Sequence, residues 1–220
     1  MARNFTEGYK GKGYQKRKSR IFQETWRKNL EEIFNEQLEI IKKFESNDER
    51  EQDILRMKIS LLMSLYDYII HEVIKYRLLE LSNLEKTKLG TEPKNYIKFK
   101  ISIKTMKQAL INTSNSEKLL SKDIEYQNNI LSFINIKKTT EGLNLVTDSN
   151  LLIEYCKINN LEYEDFKERF NKLTRRRNDI VHKLDIIDKQ TIEKNIITKE
   201  EVIDGIEFIQ NIVLFILKSI

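Results

Sequence analysis

The sequence predicts an all-α protein, a bundle of about six to seven long helices behind a basic N-terminal arm. Among 220 residues there are six Gly and one Pro, and three of the six Gly fall within the first 13 positions. Sheets joined by tight turns use both residues freely, whereas helix interiors exclude them. Through the rest of the chain, apolar residues recur at three- and four-residue spacing, the period of an amphipathic helix.

Residues 1–18 read as a flexible basic arm, and residues 19–220 as one helical domain. The first 20 residues hold seven Lys and Arg against the single acid Glu7, while the whole chain carries a net charge of +5. The charge excess therefore belongs to the arm. Lys10, Lys12, Lys16, Arg17, Lys18 and Arg20 are its candidates for contact with a phosphate backbone, and Phe5, Tyr9 and Tyr14 offer rings for bases.

A first helix is expected over about 19–45, on the spacing of Ile21, Phe22, Trp26, Leu30, Ile33, Phe34, Leu38, Ile41 and Phe44. Ser46, Asn47 and Asp48 break it and offer an N-cap. The second helix, about 48–82, is the most apolar and reads as the centre of the bundle. A turn follows over 89–93. Residues 96–104 alternate apolar and polar, yet no partner strand is in view, so an extended connector is expected. Helices are expected near 104–112, 116–135 and 149–158, with 136–149 as a surface loop. A long helix spans about 162–187. The last opens on Thr198-Lys199-Glu200-Glu201, a capping box in which hydroxyl and carboxylate each serve the other residue's amide.

Cys156 is the one cysteine and His71 and His182 are the two histidines. A disulfide framework and a Cys/His zinc site are thereby excluded, and neither cofactor nor metal is expected. No signal-type apolar run opens the chain and no stretch approaches a membrane span, so a cytoplasmic location without membrane contact is expected.

One group of residues points to chemistry. At about 100° per residue, with Leu173 at zero, Phe170, Ile180, Val181, Leu184 and Ile187 fall within about 80° of it and form a core face. His182 falls opposite, with Asn178 and Arg175 beside it at i−4 and i−7. A histidine titrating near neutral pH can move a proton, a guanidinium can hold a phosphate, and an amide can orient either. On the second helix, Ser60, Ser64, Asp67, His71 and Lys75 form a polar stripe, in which Asp67 and His71 can pair at i, i+4.

Arg176-Arg177-Asn178-Asp179-Ile180-Val181-His182 resembles the HEPN signature, an Arg followed by a polar residue and separated by four to six residues from a His. The continuation to Asp185 and the upstream Tyr66-Asp67-Tyr68-Ile69-Ile70-His71-Glu72 resemble the RiboL-PSP branch of that family. The likeness runs from about residue 50 to the end. It implies an HEPN-like helical bundle and a metal-independent endoribonuclease that leaves a 2′,3′-cyclic phosphate. Arg177, Asn178 and His182 would be catalytic, with Arg175, Asp67, His71, Glu72 and Asp185 supporting. It also implies a homodimer acting on RNA, a toxin or antiviral-defence role, and an antitoxin or defence-system protein as partner. The family pattern selects Arg177, although an ideal helix turns that residue about 140° from His182 and aligns Arg175 better. The alternative reading is a non-catalytic HEPN-like module that binds nucleic acid or a protein.

Overall fold

The computed structural model describes residues 10–45, 50–82, 90, 92–188 and 190–220, with side chains from Thr25 onward, Glu117 excepted. The expected all-α bundle is the observed fold. The described residues form α1 (Lys10–Lys43), α2 (Glu51–Ser82), α3 (Ile103–Ile111), α4 (Ser116–Asn129), α5 (Ile136–Leu143), α6 (Leu151–Ile158), α7 (Tyr163–Lys183) and α8 (Lys199–Ser219). Between α7 and α8 lies a small antiparallel hairpin, β1 (Ile186–Asp188) with β2 (Glu193–Lys194).

α2 is the axis on which α1, α4, α7 and α8 all pack. Ile59, Leu62, Met63, Tyr66, Ile69, Ile70, Val73, Ile74 and Leu78 are almost fully excluded from solvent. Each such side chain contributes about 1.5–3 kcal/mol relative to exposure. α1 lays Trp26, Leu30, Phe34, Leu38 and Ile41 against this axis, one apolar stripe at helical spacing. Trp26 stacks on Tyr76, and its Nε1 donates to the buried carboxylate of Glu80 at 2.8 Å. α8 closes the other side with Ile206, Ile209, Ile212, Val213 and Ile216, and its capping box of Thr198 and Glu201 is formed.

Several boundaries differ from the expectation. α1 begins at Lys10 rather than near residue 19; residues 1–9 lie outside the described residues, as do 46–49, 83–89 and Thr91. The expected break at Ser46, Asn47 and Asp48 and part of the expected turn at 89–93 fall there. Tyr96–Lys98 is a single 3-10 turn, after which the chain runs extended to Ser102. α4 ends at Asn129, short of 135.

Residues 136–149 are not a loop throughout. α5 is a helix because Asn135 caps it, its Oδ1 accepting from Lys137 N at 2.9 Å, and because Ile136, Thr139, Gly142 and Leu143 pack inward. Gly142 is required by that packing: a Cβ there would stand 2.5 Å from the Phe133 ring and 2.6 Å from Ile74.

α7 stops at Lys183 rather than running to 187. Leu184 and Asp185 both take positive φ, and the Asp185 amide returns to the Asp179 carbonyl at 2.9 Å, a Schellman-type closure. The core face expected on this helix is correspondingly shorter. Phe170 is buried and Leu173 and Ile180 pack against the core, but Val181, Leu184 and Ile187 are exposed. Helical spacing carried the apolar pattern past a turn that contains neither Gly nor Pro.

Candidate functional site

The end of α7 is positioned from below by one buried carboxylate. Asp185, fully buried, accepts from Arg56 Nε at 2.7 Å and from Asn195 Nδ2 at 3.2 Å, and pairs with Arg176 at 3.1 Å. Arg56 also bonds the Asn195 carbonyl at 2.5 Å and Asp53 at 3.1 Å. Three chain segments thus meet on Asp185: the central helix, α7, and the strand leading to α8. Asp185 serves here as an anchor with no access to a ligand. Arg56 was missed by the sequence reading. Its signal is an Arg between Leu55 and Met57 in the most apolar helix, which needs a buried acid somewhere.

The three consecutive arginines separate by partner. Arg176 is committed to Asp185 and to the carbonyls of Asn195 and Ile196, at 3.3 and 2.9 Å. Arg175 is exposed and lines a groove of about 320 Å³ between α7 and the start of α8, with Lys172, Asp179, Asn195 and Glu201. Arg177 is half-buried, and its Nη1 donates to Asn178 Oδ1 at 3.1 Å, while its Nε is buried without a partner. The side chain therefore bends from its own helical direction toward Asn178. Asn178 stands one turn before His182, and both are exposed. Amide and imidazole are thus exposed one turn apart, and the guanidinium turns toward the amide.

Apolar side chains from the last turn of α7 through the hairpin are exposed as well. Val181 is 45% exposed, Leu184 67%, Ile187 57% and Ile192 66%. Leu184 has φ +54° and Ile192 φ +58°. Left-handed backbone favours Gly and is unusual for a β-branched residue, so two apolar residues hold costly conformations without being used by the core.

The polar stripe on α2 serves a different neighbourhood. Asp67 accepts from the Phe133 amide at 2.5 Å and stands 3.8 Å from His71 Nε2. The His71 ring meets Phe133 edge-on at 4.6 Å, its carbonyl accepts from Asn128 Nδ2 at 2.9 Å, and its Nδ1 is buried without a partner. Glu72 pairs with Lys75, and Ser64 bonds the Ser60 carbonyl. Thr174 of α7 reaches the same segment, donating to Ile134 O at 2.8 Å. His182 lies eight residues beyond Thr174, about 12 Å along the axis at 1.5 Å per residue. Among the described residues, no hydrogen bond or ion pair joins Asp67, His71 or Glu72 to Arg177, Asn178 or His182. Beneath the stripe, burial pushes the Tyr66 hydroxyl far above its ordinary range, only partly offset by its bond to Thr139 at 3.1 Å.

The basic side chains expected to meet phosphate, Lys10, Lys12, Lys16, Arg17, Lys18 and Arg20, lie outside the described side chains. No group of His, Cys, Asp and Glu able to hold a metal ion occurs among the described residues, and no described helix is long and apolar enough to cross a membrane.

A family model described as RiboL-PSP-HEPN matches residues 15–220, which runs from the second turn of α1 to the end of α8. Neither the curated proteins nor the solved structures hold a match to the chain.

Proposed function

This chain belongs to the RiboL-PSP-HEPN family, whose domains typically act on RNA and dimerise, and we propose that it is a metal-independent endoribonuclease with Arg177, Asn178 and His182 as its catalytic group. The observation that carries this reading is the placement of Arg177 Nη1 on Asn178 Oδ1, 3.1 Å away, one turn before a solvent-facing His182. A proton-transfer group and a phosphate-binding group then lie within reach of one bound internucleotide linkage.

The reaction follows from what this group can do. His182 accepts the proton of a ribose 2′-hydroxyl as its oxygen attacks the adjacent phosphorus. The bond from phosphorus to the 5′-oxygen breaks, and that oxygen takes up a proton as it leaves. Arg177 neutralises the non-bridging oxygens, whose charge grows in the transition state. Asn178 holds the guanidinium at the right height. The products carry a 2′,3′-cyclic phosphate and a 5′-hydroxyl.

The exposed apolar residues Val181, Leu184, Ile187 and Ile192 support a homodimer in which two copies of the α7 end face one cleft, the second copy supplying the partner acid or base. Leu184 and Ile192 gain a use there that a monomer denies them. The arm residues Lys10, Lys12, Lys16, Arg17, Lys18 and Arg20 would track the RNA backbone. A toxin or antiviral-defence nuclease, working with an antitoxin or defence-system protein, is the biological setting proposed.

The test is incubation with total RNA in EDTA, beside His182→Ala, followed by analysis of fragment ends. Cyclic phosphate ends made by the parent and missing with the variant are expected. Activity abolished by chelation, or equal cleavage by both proteins, overturns the reading in favour of a binding module.

A further inference from the structure

α3 is the one α-helix with described side chains, all nine of them, that buries no residue. It rests on α4 and on the short 3-10 turn Thr113–Asn115. Thr105 and Ala109, one turn apart, make the half-buried contact. Its position is nonetheless well fixed. Ser102 caps it, accepting from Thr105 N at 3.1 Å, and the Ser102 amide donates to Asp123 of α4 at 2.7 Å.

The remainder of α3 is strongly apolar and faces outward. Ile103 is 85% exposed, Met106 52%, Leu110 74% and Ile111 76%. At about 100° per residue Ile103, Met106 and Leu110 share a sector of about 60°, and Lys107 and Lys104 follow along one flank. The opposite flank is closed by α4. Folding does not explain these side chains, since none of them enters the core, and a rimmed apolar patch of this kind marks an interaction surface. Charge selects the occupant. From Pro93 to Ser116 the sequence contains Lys94, Lys98, Lys100, Lys104 and Lys107 and no acid.

We propose that the exposed α3 face, Ile103, Met106 and Leu110 flanked by Lys104 and Lys107, is the docking site for an amphipathic, acid-rimmed helix of a protein partner. A second copy through this face would set lysine against lysine. A lipid surface suits a helix free on both flanks, whereas α4 occupies one of them. Single-stranded nucleic acid uses aromatic platforms, but the nearby Tyr96 and Phe99 are packed against the core. A helix laid against the stripe, with apolar residues at i, i+4 and i+7 and acids toward Lys104 and Lys107, satisfies both features.

The experiment uses the full chain and two labelled synthetic helices of about 18 residues, a length that supports helix formation. Both carry the same Leu stripe, one flanked by Glu and the other by Lys. Binding is followed by fluorescence anisotropy at about 0.15 M ionic strength. The Glu peptide is expected to bind at least about tenfold more tightly than the Lys peptide. Met106→Asp with Leu110→Asp should abolish that binding, and Lys104→Glu with Lys107→Glu should invert the preference. Both variants change exposed residues only, so helicity and RNA cleavage should stay at the parent level, which separates this site from the α7 group. Equal binding of the two peptides, or binding unchanged in the Asp variant, overturns the proposal. So does loss in that variant of self-association, of RNA affinity, or of attachment to phosphatidylglycerol vesicles, where the Glu peptide does not bind.

Discussion

Arg56 Nε donates to Asp185 Oδ2 at 2.7 Å, joining the central helix to the residue just beyond α7 across 129 positions of sequence. The same carboxylate holds Arg176 at 3.1 Å. The last turn of α7, which carries His182, is thereby set by a buried electrostatic joint together with the core contact of Ile180.

Asp185→Ala should be among the most damaging substitutions in the chain. It leaves the buried Arg56 Nε without its acceptor, and the guanidinium keeps only the Asn195 carbonyl and the exposed Asp53, which costs about 1–3 kcal/mol. It also puts Ala at φ +60°, which Asp tolerates better. Asp185→Asn keeps the shape and the tolerance for left-handed backbone, and should lose less. Urea unfolding measures both. A loss below about 1 kcal/mol for the Ala variant would mean that the joint does not hold this end of the fold.

Leu184→Gly separates folding from assembly. Left-handed backbone costs an L-residue about 1–2 kcal/mol, while Gly adds about 0.4–1 kcal/mol of unfolded-state entropy, so the two nearly cancel. The side chain is 67% exposed, and its removal takes little from the monomer. Stability in dilute solution should therefore change by less than about 1 kcal/mol. The homodimer should weaken, as read by sedimentation at rising concentration. An unchanged association constant would remove Leu184 from the interface.

The parts of the fold that periodicity could reach were legible. α2 was readable as a central helix because its apolar residues cover most of its circumference, and α8 because Thr198 and Glu201 announce its start. α5 was not, since eight residues with Lys137, Lys138 and Glu141 exposed and Thr139 and Gly142 among the buried ones carry too short and too weakly apolar a pattern. Beyond the Asn135 cap, what fixes it is Phe133 and Ile74 packing on Gly142, and Ile74 comes from a segment far away in sequence. The end of α7 was missed for the opposite reason. Val181, Leu184 and Ile187 continue the helical spacing past a stop made by backbone geometry at Leu184. At the site, the exposure of His182 followed from its angle on the helix. The burial of Asp185, and with it the pairing of Arg176, depended on Arg56, which no local pattern links to them.

Tyr66→Phe tests the core beneath the stripe through alkaline pH. Burial raises the folded-state pKa of the hydroxyl above its ordinary value of 10, so the native state keeps a proton that the unfolded chain releases. Stability from this group is full below about pH 10 and is lost as pH rises above the unfolded value. The Phe variant should lose about 1 kcal/mol at neutral pH, with the bond to Thr139, and then decline less steeply in alkali. Parallel stability curves for variant and parent above pH 10 would count against the assignment.

Arg175→Ala and Arg177→Ala, made separately, decide between helix geometry and family pattern. The ideal helix favours Arg175, which is exposed and lines the groove beside α8. The folded side chains favour Arg177, because its Nη1 reaches Asn178 and so approaches the His182 surface. Arg177→Ala should therefore reduce the rate of RNA cleavage by about 10²-fold or more with little change in KM, as expected for a contact made chiefly in the transition state. Arg175→Ala should raise KM and lower the salt dependence of binding by about one phosphate contact, leaving kcat within a few-fold of the parent. Helix content should be unchanged in both, since neither side chain enters the core. If Arg175→Ala abolishes turnover while Arg177→Ala only weakens binding, the phosphate sits in the groove beside α8, and the catalytic group is Arg175, Asn178 and His182.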